Sequence, residues 1–291
     1  MSSFQGSKIN PSRFSLSQVK IYAYLLPLAA VMLLPILYIF STAFKPMDEL
    51  FAYPPRFFVQ RPTLENFYDI SSSIDASGVP LSRYLFNSVV SSLLAVACTL
   101  VISLNAGYVL SKKQFRGKGA LFAVNTAALM FVPQAVQIPR YLLIEKSHLI
   151  DHFAVLFLPL LAMPVGLFLV KQFIDQVPDA LIEAARIDGA GDFRIVTGIV
   201  APIVKPALAT VAILAFQSSW NNVEISTYYV DNDLMRTFAF YLSSLIVGMG
   251  NTVAGRGVLA AATLVMFLPN LVIFIFMQNK VLNTMAHSGI K

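Results

Sequence analysis

Six apolar runs of about 20 residues recur along this chain, and no other feature limits its fold so sharply. A helix rises 1.5 Å per residue, so roughly 20 apolar residues cross a hydrocarbon layer about 30 Å thick. The runs are Ile21–Phe40, Phe86–Leu110, Ala120–Ile138, Phe153–Val170, Ile203–Asn221 and Val258–Met277. The fifth is the weakest, because Lys205 and Pro206 stand near its start. Composition agrees with this reading. Hydrophobic residues make up 57% of the 291 and charged residues 12%, about half the share usual in a soluble domain. That leaves too little polar surface for a soluble globular enzyme, and it excludes a disordered chain. The single cysteine, Cys98, cannot close an intramolecular disulfide, which excludes a disulfide scaffold. The fold class that follows is all-α integral membrane, with six transmembrane helices. A net charge of +6 would suit nucleic acid, but the positive-inside rule produces the same excess in a membrane protein.

The first run is preceded by Lys20 and followed by Ser41-Thr42-Ala43, a small-residue stretch like a signal cleavage site. A run of about 20 residues is too long for a signal's apolar core, and five more follow, so it reads as a retained helix. Orientation rests on where Lys and Arg fall. Thirteen of the 21 would share one side: Lys8, Arg13, Lys20, Lys112, Lys113, Arg116, Lys118, Lys171, Arg186, Arg194, Lys205, Lys280 and Lys291. The short loop Lys112–Lys118 weighs most, which places both termini in the cytoplasm. The expected organisation is a cytoplasmic tail (1–19), a first transmembrane helix (20–44) and an extracytoplasmic loop (45–84). A membrane core with five transmembrane helices (85–279) and a second cytoplasmic tail (280–291) complete it. Pro46, Pro54, Pro55, Pro62 and Pro80 predict turns and extended chain in the first outer loop. Asn222–Gly257 reads as another outer loop, and Arg140–His152 as a short one.

The span cores hold no Asp, Glu or His, and Lys205 is their only Lys. Ionisable groups at mid-membrane mark proton relays and ion sites, so an ion-coupled carrier is the less favoured alternative. There is no Gly-x4-Gly-Lys-Ser/Thr phosphate loop, no nucleophile elbow and no metal cluster. His148 and His152, four residues apart, read as interfacial polar residues in preference to ligands. Any uphill movement must draw its energy from another subunit.

Between the fourth and fifth runs lies Val177-Pro178-Asp179 followed by Ala180–Asp188 and Gly189-Ala190-Gly191. Pro178 and Asp179 suit a helix start, and Gly189 and Gly191 suit its end. Leu181, Ala184 and Ala185 form a small apolar face, with Glu183, Arg186 and Asp188 off it. Such a helix, held at a membrane surface, reads either as a ridge for a partner's groove or as an ordinary interfacial helix.

Glu183-Ala184-Ala185-x3-Gly189-x9-Ile199-x-Ala201-Pro202 resembles the EAA loop of ABC importer permeases, with Ala201 where Leu is usual. Further stretches resemble the carbohydrate-type, maltose-permease-like, binding-protein-dependent family. They include Ser41–Lys45, Pro62–Phe67, Asn87-Ser88, Phe115–Lys118, Val132-Pro133, Lys205–Thr210 and Ser219-Trp220-Asn221. The segment Asn222–Thr227 and the C-terminal tail depart from the family pattern. The resemblance implies a type I (MetI-like) permease fold that is not itself an enzyme. Its implied partners are a second permease, two ATPase subunits that bind ATP and Mg, and an extracytoplasmic solute-binding protein. It implies no cofactor in this chain, and it makes Glu183, Ala184, Ala185, Arg186, Asp188 and Gly189 the coupling loop.

For the substrate path, Gln217 and Asn221 share a face of the fifth run, with Trp220 beside them. Gln134 and Gln137 lie near Pro133 and Pro139, which should break the third run. A neutral polar path with aromatic surfaces suits a sugar, whereas a glycerophosphate would call for Arg or Lys in the spans. Ser88, Ser92, Ala95, Thr99, Ser103 and Ala106 form a stripe on the second run that reads as helix packing before pathway lining.

Overall fold

The computed structural model describes residues 16–72, 78–250 and 252–288, and among these all regular structure is helical. In chain order the α-helices are α1 (Leu16–Ala43), α2 (Met47–Leu50), α3 (Glu65–Ser72), α4 (Leu81–Lys112) and α5 (Lys118–Ala128). They continue with α6 (Gln137–Lys146), α7 (Pro164–Asp175), α8 (Asp179–Ile187), α9 (Asp192–Ile195) and α10 (Ala201–Ile203). The last four are α11 (Lys205–Trp220), α12 (Glu224–Tyr229), α13 (Phe238–Met249) and α14 (Gly255–Ser288). Three stretches are unbroken and apolar enough to cross a membrane: Ile21–Ala43, Leu81–Lys112 and Gly255–Met277. Three bent pairs bring the number of spans to six when each pair counts once. The tail residues 1–15 and 289–291 lie outside the described residues.

Each bend has a sequence cause. The third run does not continue straight to Ile138. Helix α5 stops at Ala128, and the chain turns by 112° into Pro133–Lys146. Pro133 opens the new segment, where a missing N–H costs nothing. Pro139, expected to break the helix, instead sits in the first turn of α6, whose N–H groups have no intrahelical partner anyway. Phe153–Leu160 meets Pro164–Asp175 at 50° and Asp192–Ile203 meets Lys205–Trp220 at 86°. Pro164 and Pro206 stand in the first turns of α7 and α11. Residues expected as outer loop also fold: 45–84 contains α2 and α3, and 222–257 contains α12 and the apolar α13.

Small residues let the spans approach. Ser88, Ser92, Ala95, Thr99 and Ser103 of α4 are all buried, so the stripe packs helix against helix. The Ser92 hydroxyl lies 3.2 Å from that of Ser219 on α11. A Cβ on Gly166 of α7 would meet Val211 Cγ1 at 3.1 Å and Ser103 Oγ at 3.3 Å, so glycine sets the spacing of three helices there. Asn87 donates to the carbonyls of Leu234 (2.8 Å) and Arg236 (2.9 Å), and Ser88 Oγ accepts from Phe238 N–H at 2.7 Å. Together these tie α4 to the start of α13.

The segment after α1, expected as the first outer loop, is folded onto the end of that helix. Ser41 Oγ donates to Phe57 O and accepts from Val59 N–H. Buried Glu49 accepts from the N–H groups of Gln60 and Arg61, and buried Asn66 donates to the carbonyls of Ala43 and Lys45. These bonds account physically for Ser41–Lys45 and Pro62–Phe67: the two stretches close on each other.

Candidate functional site: coupling surface and solute cavity

Helix α8 lies beneath a cluster of buried side chains that includes Tyr108, Val170, Ile174, Val177, Ile195, Val200 and Val204. Ile182 (3% exposed) and Ala185 (8%) turn into this cluster. That corrects the sequence-based face. Leu181 and Ala184 point outward, and Ile182 takes the inner position. Ile187 (87% exposed) and Phe193 (79%) extend the outward apolar surface. Glu183, Arg186 and Asp188 are exposed around it.

The far end of α8 is closed by a Schellman motif. Ala190 N–H donates to Ala185 O at 2.9 Å and Gly189 N–H to Arg186 O at 3.0 Å. Gly189 takes φ +79°, the left-handed conformation this cap requires. No neighbouring atom lies within 4 Å of a Cβ added there, so backbone conformation alone calls for glycine.

The C-terminal end of α4 pins both sides of this segment. Lys112 Nζ donates to Val177 O at 2.6 Å and to Asp179 Oδ1 at 2.7 Å. Lys113 Nζ reaches both Asp192 carboxylate oxygens at 2.7 Å. Tyr108 OH donates to Asp192 at 3.2 Å, and Arg186 stands 3.8 Å from it. Ser111 Oγ and Lys171 Nζ both bond Asp175 at 2.6 Å. The Lys112 hydrogen bond holds the Asp179 carboxyl below the usual carboxylate range, and that from Lys113 does the same for Asp192. These bonds tie the segment from Val177 to Asp192 to α4, and Asp175 ties the same end of α4 to α7. The signal lies in the sequence as Lys112 and Lys113, whose charges by themselves indicate only topology.

At the opposite ends of α5 and α7 lies a cavity of about 650 Å³. It sits where two bent pairs meet, with Phe131, Pro133, Leu158 and Pro164 among its lining residues. Arg140 is its one charged lining side chain. Gln134 is exposed and Gln137 half-buried beside it. The other expected pathway residues are elsewhere. Trp220 is buried, stacks on Phe216 and donates its indole N–H to Met266 O at 2.9 Å. Asn221 accepts from Asn270 at 3.1 Å, and Gln217 is exposed. No described hydrogen bond joins this group to Gln134 and Gln137. Among the described residues no three His, Cys, Asp or Glu gather as a metal site.

Residues 23–281 match the family described as binding-protein-dependent transport system inner membrane component. The chain is 27% identical over 279 residues to the arabinooligosaccharides transport system permease protein AraQ of Bacillus subtilis (strain 168), covering 96% of this chain and 98% of that one. It is 30% identical over 251 residues to the sn-glycerol-3-phosphate transport system permease protein UgpE of Escherichia coli O1:K1 / APEC, covering 86% and 89%. Among solved structures, a bacterial ABC transporter involved in import of the acidic polysaccharide alginate has a chain that superposes with TM-score 0.78 at 22% identity, covering 92% of this chain and 99% of that one. With the family matched across nearly the whole chain, and an all-helical bundle carrying a pinned surface helix, this protein is a member of the binding-protein-dependent transport system inner membrane components, the permease subunits of ABC importers.

Proposed function

We propose that this permease carries a sugar or oligosaccharide inward across the cytoplasmic membrane, as one half of a translocation path. Its partners are a second permease, two ATPase subunits that bind ATP and Mg, and an extracytoplasmic solute-binding protein. The observation that carries the reading is the outward apolar face of α8, with Leu181, Ala184 and Ile187 exposed and extended by Phe193 of α9, on a segment fixed on both sides to the spans. An exposed apolar patch on a rigid support is what a partner's groove requires. Glu183, Arg186 and Asp188 supply the polar rim, and Gly189 sets the turn.

In this mechanism, closure of the ATPase dimer pushes on α8. The ion pairs of Lys112 and Lys113 carry the displacement into α4, and Asp175 carries it into α7. The bent pairs then rock between inward- and outward-facing arrangements. Residues 1–19 and 280–291 lie on the ATPase side and 45–84 on the receptor side, with Gln134, Gln137, Gln217, Trp220 and Asn221 belonging to or bordering the path. Gentle affinity purification from native membrane, with mass spectrometry, tests the reading. An ATPase and a second permease at comparable stoichiometry support it; a chain that purifies alone and moves solute without ATP refutes it.

A further inference from the structure

We propose that the cavity between the two broken spans is a solute-binding surface and that Arg140 within it recognises an anionic group on the cargo: a carboxylate, sulfonate or phosphate carried by a sugar. The proposal rests on the importer reading and narrows its substrate class.

Three observations support it. The first is place. The cavity is lined by Pro133 and Val136 of one interrupted segment and by Leu158, Pro159 and Pro164 of the other. Membrane transporters build solute sites where interrupted helices meet, because only there does irregular backbone face a cavity instead of lipid. Its volume of about 650 Å³ lies in the range of small-molecule sites, which are mostly apolar with a few directing polar groups.

The second is a cation with only one loose partner. A guanidinium offers five N–H donors, yet the Arg140 side chain makes no hydrogen bond to any described residue. Its nearest carboxylate oxygen, Glu224 Oε1, is 3.9 Å away, beyond hydrogen-bond reach. The side chain is only 28% exposed, so much of its hydration is lost without replacement. A cation held this way is costly unless something pairs with it.

The third is the remainder of the wall. Ser147 Oγ already donates to Leu143 O at 2.8 Å, and the other lining side chains are apolar. They offer surfaces for sugar faces and nothing for hydroxyls. The one charged group on the wall, paired only loosely with Glu224, matches an oxyanion, which a guanidinium can bind through two parallel hydrogen bonds. A fully neutral cargo would leave it unused.

The test uses the assembled importer in native membrane vesicles, in a Cys98→Ser background with Leu143→Cys. Leu143 lies on the cavity wall one turn from Arg140 and is 67% exposed. Its rates of reaction with ethylsulfonate (anionic) and trimethylammonium-ethyl (cationic) methanethiosulfonates are compared, with and without Arg140→Gln. The expected result is a preference for the anionic reagent that falls about tenfold when the charge is removed. Trigalacturonate should slow the labelling and galactotriose should not. A ratio indifferent to Arg140→Gln, a thiol that neither reagent reaches, or no protection by trigalacturonate would each overturn the assignment. Co-purifying ATPase activity, measured on the same vesicles, tests the importer reading separately. If it is present while labelling shows no charge preference, only the role of Arg140 fails.

Discussion

Replacing Gly257 with alanine should unfasten the outer loop from the last span. Gly257 lies in the first turn of α14 against Asn66. A Cβ there would sit 2.8 Å from Asn66 Cγ and 2.9 Å from Nδ2, and closer still to Oδ1. Asn66 is 6% exposed, and its Nδ2 holds the Ala43 and Lys45 carbonyls at 3.0 and 2.8 Å, so it cannot retreat without breaking both bonds. Overpacking costs about 1–3 kcal/mol, and each lost hydrogen bond adds about 1 kcal/mol. The sum, about 3–5 kcal/mol, should lower the melting temperature of the purified protein by several degrees. The control is a double-mutant cycle. In an Asn66→Ala background the amide is already gone, so Gly257→Ala should cost little more. Equal costs of Gly257→Ala in both backgrounds, or none in the wild type, would refute the reasoning.

Lys113→Ala should lower solute moved per ATP while leaving membrane insertion unchanged. The charge exchange Lys113→Asp with Asp192→Lys should recover part of that ratio, as uptake and hydrolysis measured together would show. Asp179 and Asp192 have carboxyls held below their ordinary value of 3.8. Their contribution is therefore fully present above that value and is lost only as pH falls through the lower folded one. Protease protection of segment 177–193 should accordingly stay constant from pH 5 to 8 and weaken only in strong acid. Trp220, the single tryptophan, should give blue-shifted emission that moves red on unfolding; Trp220→Phe should cost about 1–3 kcal/mol in a thermal melt.

Much of this fold is legible from apolar run length. The first, second and sixth runs correspond to α1, α4 and α14, which stay continuous although Pro27 and Pro35 lie inside α1 and Pro269 inside α14. The third stops early because Pro133 needs a turn before it, and a run counted by hydropathy alone passes through that turn. Helix α13 was hidden because its 12 residues are too few to cross hydrocarbon, so they counted as loop. The coupling motif gave the site its position and its αL glycine, but not its inner face. Which side of α8 turns inward depends on Tyr108, Val177 and Ile195 above it, contacts that helical periodicity does not encode. Arg140 lies outside the apolar span cores in sequence, and the 112° bend after α5 carries it onto the cavity wall from a stretch that reads as loop.

If α8 passes the movement of the ATPase dimer to the spans, Gly189→Val should uncouple hydrolysis from transport. Valine in the left-handed conformation costs about 1–2 kcal/mol and should rearrange the cap that fixes the end of α8. In proteoliposomes holding the full importer, ATP hydrolysis should persist while ATP-driven uptake falls about tenfold or more, with the chain inserted at the wild-type level. Uptake unchanged at equal insertion would contradict the account.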